Sequence, residues 1–271
     1  MLIESYLSAS DLELGSELLE KGYIVRKCEN QDVLNKLRTA VLETSNEWLR
    51  SHGALSSIDD LSISHHYITP AVINEIRLHI FARLNTSVDI RLNYFQLGSS
   101  LIQRLVGNDL AMQNKVNLSI QQPHDQSSVL ELHSDVWSGD SPFQIVLWTP
   151  LTDSTSSNAM FLLAPAESRE ALDRARTGEL RSMAEIHNAY KSKLNPIEVK
   201  FGEILLFDSN CLHGNQLNLT SLSRWSLNCR FASLLAPATT PERKLGPYYT
   251  PIMVRPATQM GLRALRTLGL S

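Results

Sequence analysis

Cysteine is scarce in this 271-residue chain: three residues, Cys28, Cys211 and Cys229, odd in number, widely spaced and without a CxxC pair. That argues against a disulfide framework and a cysteine zinc site, and fits the reduced, buried thiols of a cytosolic protein. Net charge is also small, −3 from 25 basic and 28 acidic residues. A balance so close to neutral gives no electrostatic case for nucleic acid or an anionic membrane as the main partner. No apolar run approaches the ~18–20 residues of a membrane span. Met1-Leu2-Ile3-Glu4-Ser5 lacks the basic-then-apolar pattern of a signal peptide, so a cytoplasmic location is expected. Repeats, low-complexity tracts and obvious linkers are missing too. A single domain over residues 1–271 is therefore the simplest organisation, and a content of 43% hydrophobic and 20% charged residues is enough for one substantial core.

The period of the hydrophobic pattern changes near residue 115. Before it, residues 10–21 read as a helix with a Ser cap and a stop at Gly22, followed by a strand at Tyr23-Ile24-Val25. Asn30 caps a longer helix to about Arg50, with Val33, Leu34, Leu37, Val41 and Leu42 as its apolar stripe. Residues 51–68 read as polar and irregular, and Pro70 suits the first turn of a helix to about Leu84. After it, strands are expected at Val116–Ile120, Leu132–Val136, Phe143–Trp148, Met160–Leu163, Ile197–Val199, Ile204–Phe207 and Trp225–Phe231, with helical material at 167–193. Short strands separated by turns, with helices mostly ahead of them, predict an α+β protein on an antiparallel sandwich or barrel. The divisions are a helical support over about 1–110, a β core over about 115–235 and a C-terminal extension over 236–271.

The chemistry lies in a few positions. Residues two apart on a strand share a face, so His133 and Asp135 of His133-Ser134-Asp135 reach toward one point. The run Gly202–Phe207 delivers His213 to a strand end just before Gly214. Two imidazoles and one carboxylate form the set that leaves positions open on non-heme Fe(II) for a co-substrate and dioxygen. Eleven residues on, Arg224 opens an alternation: Arg224, Ser226, Asn228 and Arg230 on one face, Trp225, Leu227, Cys229 and Phe231 on the other. An inward arginine costs several kcal/mol unless an anion meets it, and its fork matches a carboxylate. Arg224 with Ser226 therefore fits the far carboxylate of a 2-oxo acid; a structural salt bridge is the alternative. HxD alone is a weak signal, and the co-occurrence carries the reading.

The order HxD, distal His and RxS on the next strand resembles the double-stranded β-helix (jelly-roll) 2-oxoglutarate oxygenases. Phe143 to Pro165 is similar to their phytanoyl-CoA dioxygenase-like branch. His133 to Phe143 and the segment from Lys244-Leu245-Gly246 onward resemble, more closely, the sporadically distributed oxygenases of carbohydrate and surface-polysaccharide clusters, related to a streptomycin-biosynthesis protein. The resemblance covers about residues 115–256. It implies a jelly-roll, cupin-like core with the N-terminal helices packed on the major sheet. It also implies Fe(II) on His133, Asp135 and His213, the 2-oxoglutarate C5 carboxylate on Arg224 with Ser226, and dioxygen as oxidant. Halogenating relatives replace the carboxylate by a small residue, so Asp135 favours hydroxylation or a related oxidation. The substrate implied is small, a sugar or sugar-linked intermediate of surface glycan or natural-product biosynthesis.

Secondary candidates follow. Asn117, Ser119 and Gln121 alternate on one face and fit either a pocket lining or the solvent face of an edge strand. Trp148 fits a position over the co-substrate or in the core, Trp137 a stack on a sugar ring, and Asn215 the surroundings of the metal. His65 and His66 are expected at the surface, on opposite sides of an extended segment. Competing readings are an oxygenase for an amino acid or acyl chain and a jelly-roll that only binds carbohydrate. A cupin-type isomerase needs a base–acid pair that the sequence does not offer.

Overall fold

The computed structural model describes residues 6–237 and 239–268. Residues Met1 to Ser5, read above for a leader, lie outside them. Helix α1 (Ala9–Lys21) starts under Ser8, whose hydroxyl accepts from the Asp11 N–H, and stops at Gly22 in the left-handed region. Strand β1 (Tyr23–Lys27) leads to α2 (Gln31–Ser51), capped by the Asn30 carboxamide oxygen. The expected stripe is buried along α2, with Leu42 partly so.

Residues 51–68 differ from expectation. Ile58, Leu61, Ser64 and Ile68 are buried, and Leu61–His66 forms a 3-10 turn. The cause is long-range: the Trp225 indole N–H donates to Ser64 Oγ at 2.9 Å, and both atoms of the Asn46 carboxamide bond the backbone of Ile58. In that turn the rings of His65 and His66 lie against each other, centroids 4.2 Å apart, rather than on opposite sides. Helix α3 (Ile73–Leu84) begins three residues past Pro70, and α4 (Ile90–Phe95) and α5 (Ser99–Val106) complete the N-terminal helices.

The strands are β2 (Leu110–Gln113), β3 (Asn117–Gln121), β4 (Gln144–Pro150) and β5 (Met160–Leu162). Helices α6 (Pro165–Arg176) and α7 (Met183–Tyr190) intervene before β6 (Asn195–Ile197), β7 (Glu203–Asp208), β8 (His213–Asn215), β9 (Arg224–Ser233) and β10 (Tyr249–Met253), and α8 (Pro256–Thr267) follows. The strand expected at Ile197–Val199 is shifted: Val199 makes only an isolated bridge to Ser154.

All pairings within the two sheets are antiparallel. The major sheet runs β1-β7-β4-β9-β2-β10, with β3 alongside the first half of β9; the minor sheet runs β6-β5-β8. Alternation sorts the side chains of the major sheet. Ile145, Leu147, Ile204, Leu206, Trp225, Leu227, Cys229 and Phe231 pack with the N-terminal helices into the largest core. Val146, Trp148, Leu205 and Phe207 face the other way and pack with Met160, Leu162 and Ile197 of the minor sheet. This is the jelly-roll, or double-stranded β-helix, with helices on the outer face of its major sheet. Among the described residues no helix is long and apolar enough to cross a membrane.

Candidate metal and co-substrate site

The site lies between the sheets, where a short extended segment meets β8. His133 and His213 exchange backbone hydrogen bonds, N to O at 2.9 and 2.8 Å, which sets their side chains next to each other with ring centroids 4.3 Å apart. Gly214 permits this approach: a Cβ there would lie 2.8 Å from Leu130 O and 3.1 Å from Glu131 O. Asn215 ties the same segment down, its Oδ1 accepting from the Leu130 N–H at 2.6 Å and its own N–H reaching Leu130 O at 3.0 Å.

Each imidazole has its Nδ1 against a backbone carbonyl two residues earlier, Glu131 O at 2.8 Å for His133 and Cys211 O at 2.9 Å for His213. A carbonyl only accepts, so Nδ1 carries the proton and Nε2 keeps its lone pair for a ligand. Burial, helped by the neighbouring His133 and opposed by Asp135, pushes His213 down to about 4, so it is neutral at ordinary pH.

The expected strand at Leu132–Val136 is not formed; only His133 makes a bridge, and Asp135 opens a 3-10 turn, Asp135–Ser138. The chain turns there because Ser134 Oγ reaches Ser209 O and Asn210 O, and Gly139 closes the turn with positive φ. Asp135 still meets the histidines, with Oδ1 3.8 Å from His133 Nε2 and 3.9 Å from His213 Nε2. One ligand atom from each of the three lies within 4.8 Å of the others. Two imidazole nitrogens and a carboxylate oxygen converging in this way fit a non-heme iron.

Arg230 secures the carboxylate. Its Nη2 is 2.8 Å from Asp135 Oδ1, and its Nε donates to Asp135 Oδ2 at 3.1 Å. The same guanidinium meets Asp140, which also pairs with Arg243 at 3.2 Å. Burial works against both charges, yet Arg230 and the histidines hold Asp135 below the usual carboxylate range, while Asp135, Tyr248 and Asp140 hold Arg230 above its ordinary value.

Arg224 is in the opposite condition. It is 3% exposed, its Nη1 donates to Ser226 Oγ at 3.3 Å, and its Nε has no hydrogen-bond partner among the described residues. The guanidinium carbon lies 5.6 Å from the centre of the Trp148 ring, and burial depresses its pKa to about 10. A cavity of about 130 Å³ joins this cation to the three converging residues, with Trp148, Ser119 and Asn228 also on its wall. Asn117 does not line it; its amide donates to Asn228 Oδ1 at 3.1 Å, and Ser119 takes the wall position. Trp137 is 48% exposed, outside the cavity lining. Sequence reading placed Arg230 on the right face but missed its pairing with Asp135 and Asp140. The only signal was an acidic residue in the turn after HxD and a second arginine in the RxSxNxR alternation.

The sequence matches the phytanoyl-CoA dioxygenase family over residues 71–226, more than half its length. The chain belongs to that family. It is an enzyme, an Fe(II)- and 2-oxoglutarate-dependent oxygenase, with iron as cofactor and 2-oxoglutarate as co-substrate. Solved structures agree on the fold. The nickel complex of the non-heme monooxygenase ThoJ is 14% identical with a TM-score of 0.57, covering 94% of both chains. EctD from S. alaskensis, with 2-oxoglutarate and 5-hydroxyectoine, is 18% identical with a TM-score of 0.56, covering 90% of this chain and 82% of its own. HygX from Streptomyces hygroscopicus, with nickel and 2-oxoglutarate bound, is 16% identical with a TM-score of 0.50, covering 91% and 98%. No curated protein matches the oxygenase.

Proposed function

We propose that His133, Asp135 and His213 hold the iron, and that Arg224, with Ser226 and Trp148, holds the C5 carboxylate of 2-oxoglutarate. The observation that carries this is the Arg224 guanidinium, which no carboxylate among the described residues meets and whose Nε is unpaired among them, buried in the same cavity as the converging ligand atoms. A buried cation without a counter-charge is costly, and a dicarboxylate that chelates metal at one end supplies the missing anion at the other. With iron, 2-oxoglutarate and dioxygen bound, the site supplies oxidative decarboxylation of the co-acid to succinate and CO2, coupled to oxidation of the substrate. The protein's share is positional. The Glu131 and Cys211 carbonyls fix the histidine tautomers, Arg230 fixes the carboxylate, Trp148 covers the guanidinium, and Asn117 acts through Asn228.

The substrate in this reading is a small molecule, a sugar or sugar-linked intermediate of surface glycan or natural-product biosynthesis, oxidised in the cytoplasm. Its support is the likeness of His133–Phe143 and of the segment from Lys244 to the polysaccharide-cluster oxygenases. The test of the ligand set is His213→Ala. Fe(II) binding should be lost while circular dichroism stays that of the wild type, and full metal affinity in the variant would remove His213 from the set.

A further inference from the structure

A second, wider space adjoins the catalytic cavity. A cleft of about 510 Å³ runs between α3, β3 and the segment 127–130. Ser119, Leu130 and Asn215 line both spaces, so they are two compartments of one cavity system. The inner one, about 130 Å³, is the smaller of the two. A molecule in the outer one reaches toward the converging ligand atoms across this shared wall.

The outer compartment has a definite chemistry. Ile73, Leu118, Ile120, Val129 and Leu130 give it an apolar wall, and the Ser119 hydroxyl, at the junction, has no hydrogen-bond partner among the described residues. Arg77 is the one ionisable residue in its lining. It is half-buried, and its one side-chain polar contact among the described residues is Asn74 Oδ1 at 2.7 Å, one helical turn earlier. Among the described residues no carboxylate lies within ion-pair distance of it, whereas Arg38 on α2 meets Asp60 at 3.1 Å and Arg83, further along α3, meets Glu47 at 3.9 Å. Each compartment thus contains one arginine that no carboxylate among the described residues meets, Arg224 buried inside and Arg77 half-exposed outside.

We propose that the outer cleft is the binding site of the primary substrate and that Arg77 receives an anionic group of that substrate, a carboxylate or a phosphate ester, while its carbon skeleton lies on the apolar wall. The inference rests on the reading of the inner compartment as the iron and 2-oxoglutarate site. It narrows the substrate to an acid: among sugars, a sugar acid or sugar phosphate.

The test is a thermal-shift titration, under nitrogen, of the protein loaded with Ni(II) and 2-oxoglutarate. The probe is a small-molecule extract of the organism that encodes the enzyme, split on an anion-exchange resin. The retained fraction should raise the unfolding midpoint of the wild type, and Arg77→Gln should need roughly ten- to a hundred-fold more of it, as expected for loss of a hydrogen bond to a charged group. Arg77→Lys should recover part of the response, which separates charge recognition from a folding defect. Phosphatase treatment distinguishes the two sources: a phosphate ester loses its effect and a carboxylate keeps it. A response confined to the unretained fraction, an equal response from Arg77→Gln, or no response to the retained fraction would overturn the inference. Failure of the inner-site reading is seen separately, as a wild type that takes up neither Ni(II) nor 2-oxoglutarate.

Discussion

Arg224 and Arg230 sit six residues apart on one strand, on the same face, and both line the same cavity, but the fold meets their charges differently. Arg230 is met by two carboxylates, Asp135 and Asp140, and its charge is balanced inside the protein. Arg224 is met by one hydroxyl and an aromatic ring, with its Nε unpaired. Burial therefore ends with a guanidinium above its ordinary value at one end and one lowered to about 10 at the other. The same side chain is structural where the fold supplies its anion, and in the proposed reading a binding group where it does not. The unmet charge, rather than the arginine itself, marks where a ligand belongs.

The comparison breaks most visibly at Arg230. Arg230→Gln leaves Asp135 buried without its cation, and Asp140 with Arg243 alone, and should lower unfolding free energy by about 3–5 kcal/mol in a urea titration. A loss under about 1 kcal/mol would mean that the pairing is incidental. Next comes Arg224→Ala, which should weaken 2-oxoglutarate by about 2–5 kcal/mol in calorimetry while leaving Fe(II) affinity near wild type. Equal 2-oxoglutarate affinity would place the anion elsewhere. The contrast is sharpened by Arg224→Met: without ligand it should gain about 1–4 kcal/mol in urea, the opposite sign to Arg230→Gln, since it removes a buried charge that no carboxylate among the described residues meets. A destabilised Arg224→Met would count against the unmet-charge argument. The smallest effect concerns backbone. Gly214→Ala should cost about 1–3 kcal/mol and weaken Fe(II), because its Cβ pushes the Leu130–Glu131 backbone, and His133 with it, away from β8. Wild-type stability and metal affinity there would mean the segment yields freely.

These effects also divide what the sequence discloses from what it conceals. Local rules were legible: the Ser8 and Asn30 caps, the stop at Gly22, the stripe of α2 and the two-residue alternation of β9 were all readable from spacing. The three converging residues and Arg224 were legible because their chemistry is unusual at those spacings. Long-range partners were not. Residues 51–68 look like a polar loop until Trp225, 161 positions beyond Ser64, donates to it. The turn at Asp135 depends on carbonyls of Ser209 and Asn210, and the role of Arg230 on an aspartate 95 residues before it. Asn117 and Ser119 share a face in sequence, but which of them borders the cavity is decided by pairing with Asn228.

The most direct test of the central claim is an anaerobic titration of metal-free protein with Fe(II) and then 2-oxoglutarate. It is followed by the weak visible charge-transfer band of a chelated 2-oxo acid. The account predicts a band in the wild type, none in Asp135→Ala, and one in Arg224→Ala only at far higher 2-oxoglutarate. A wild type that binds Fe(II) but forms no band, or an Arg224→Ala variant that forms it at the wild-type concentration, would contradict it.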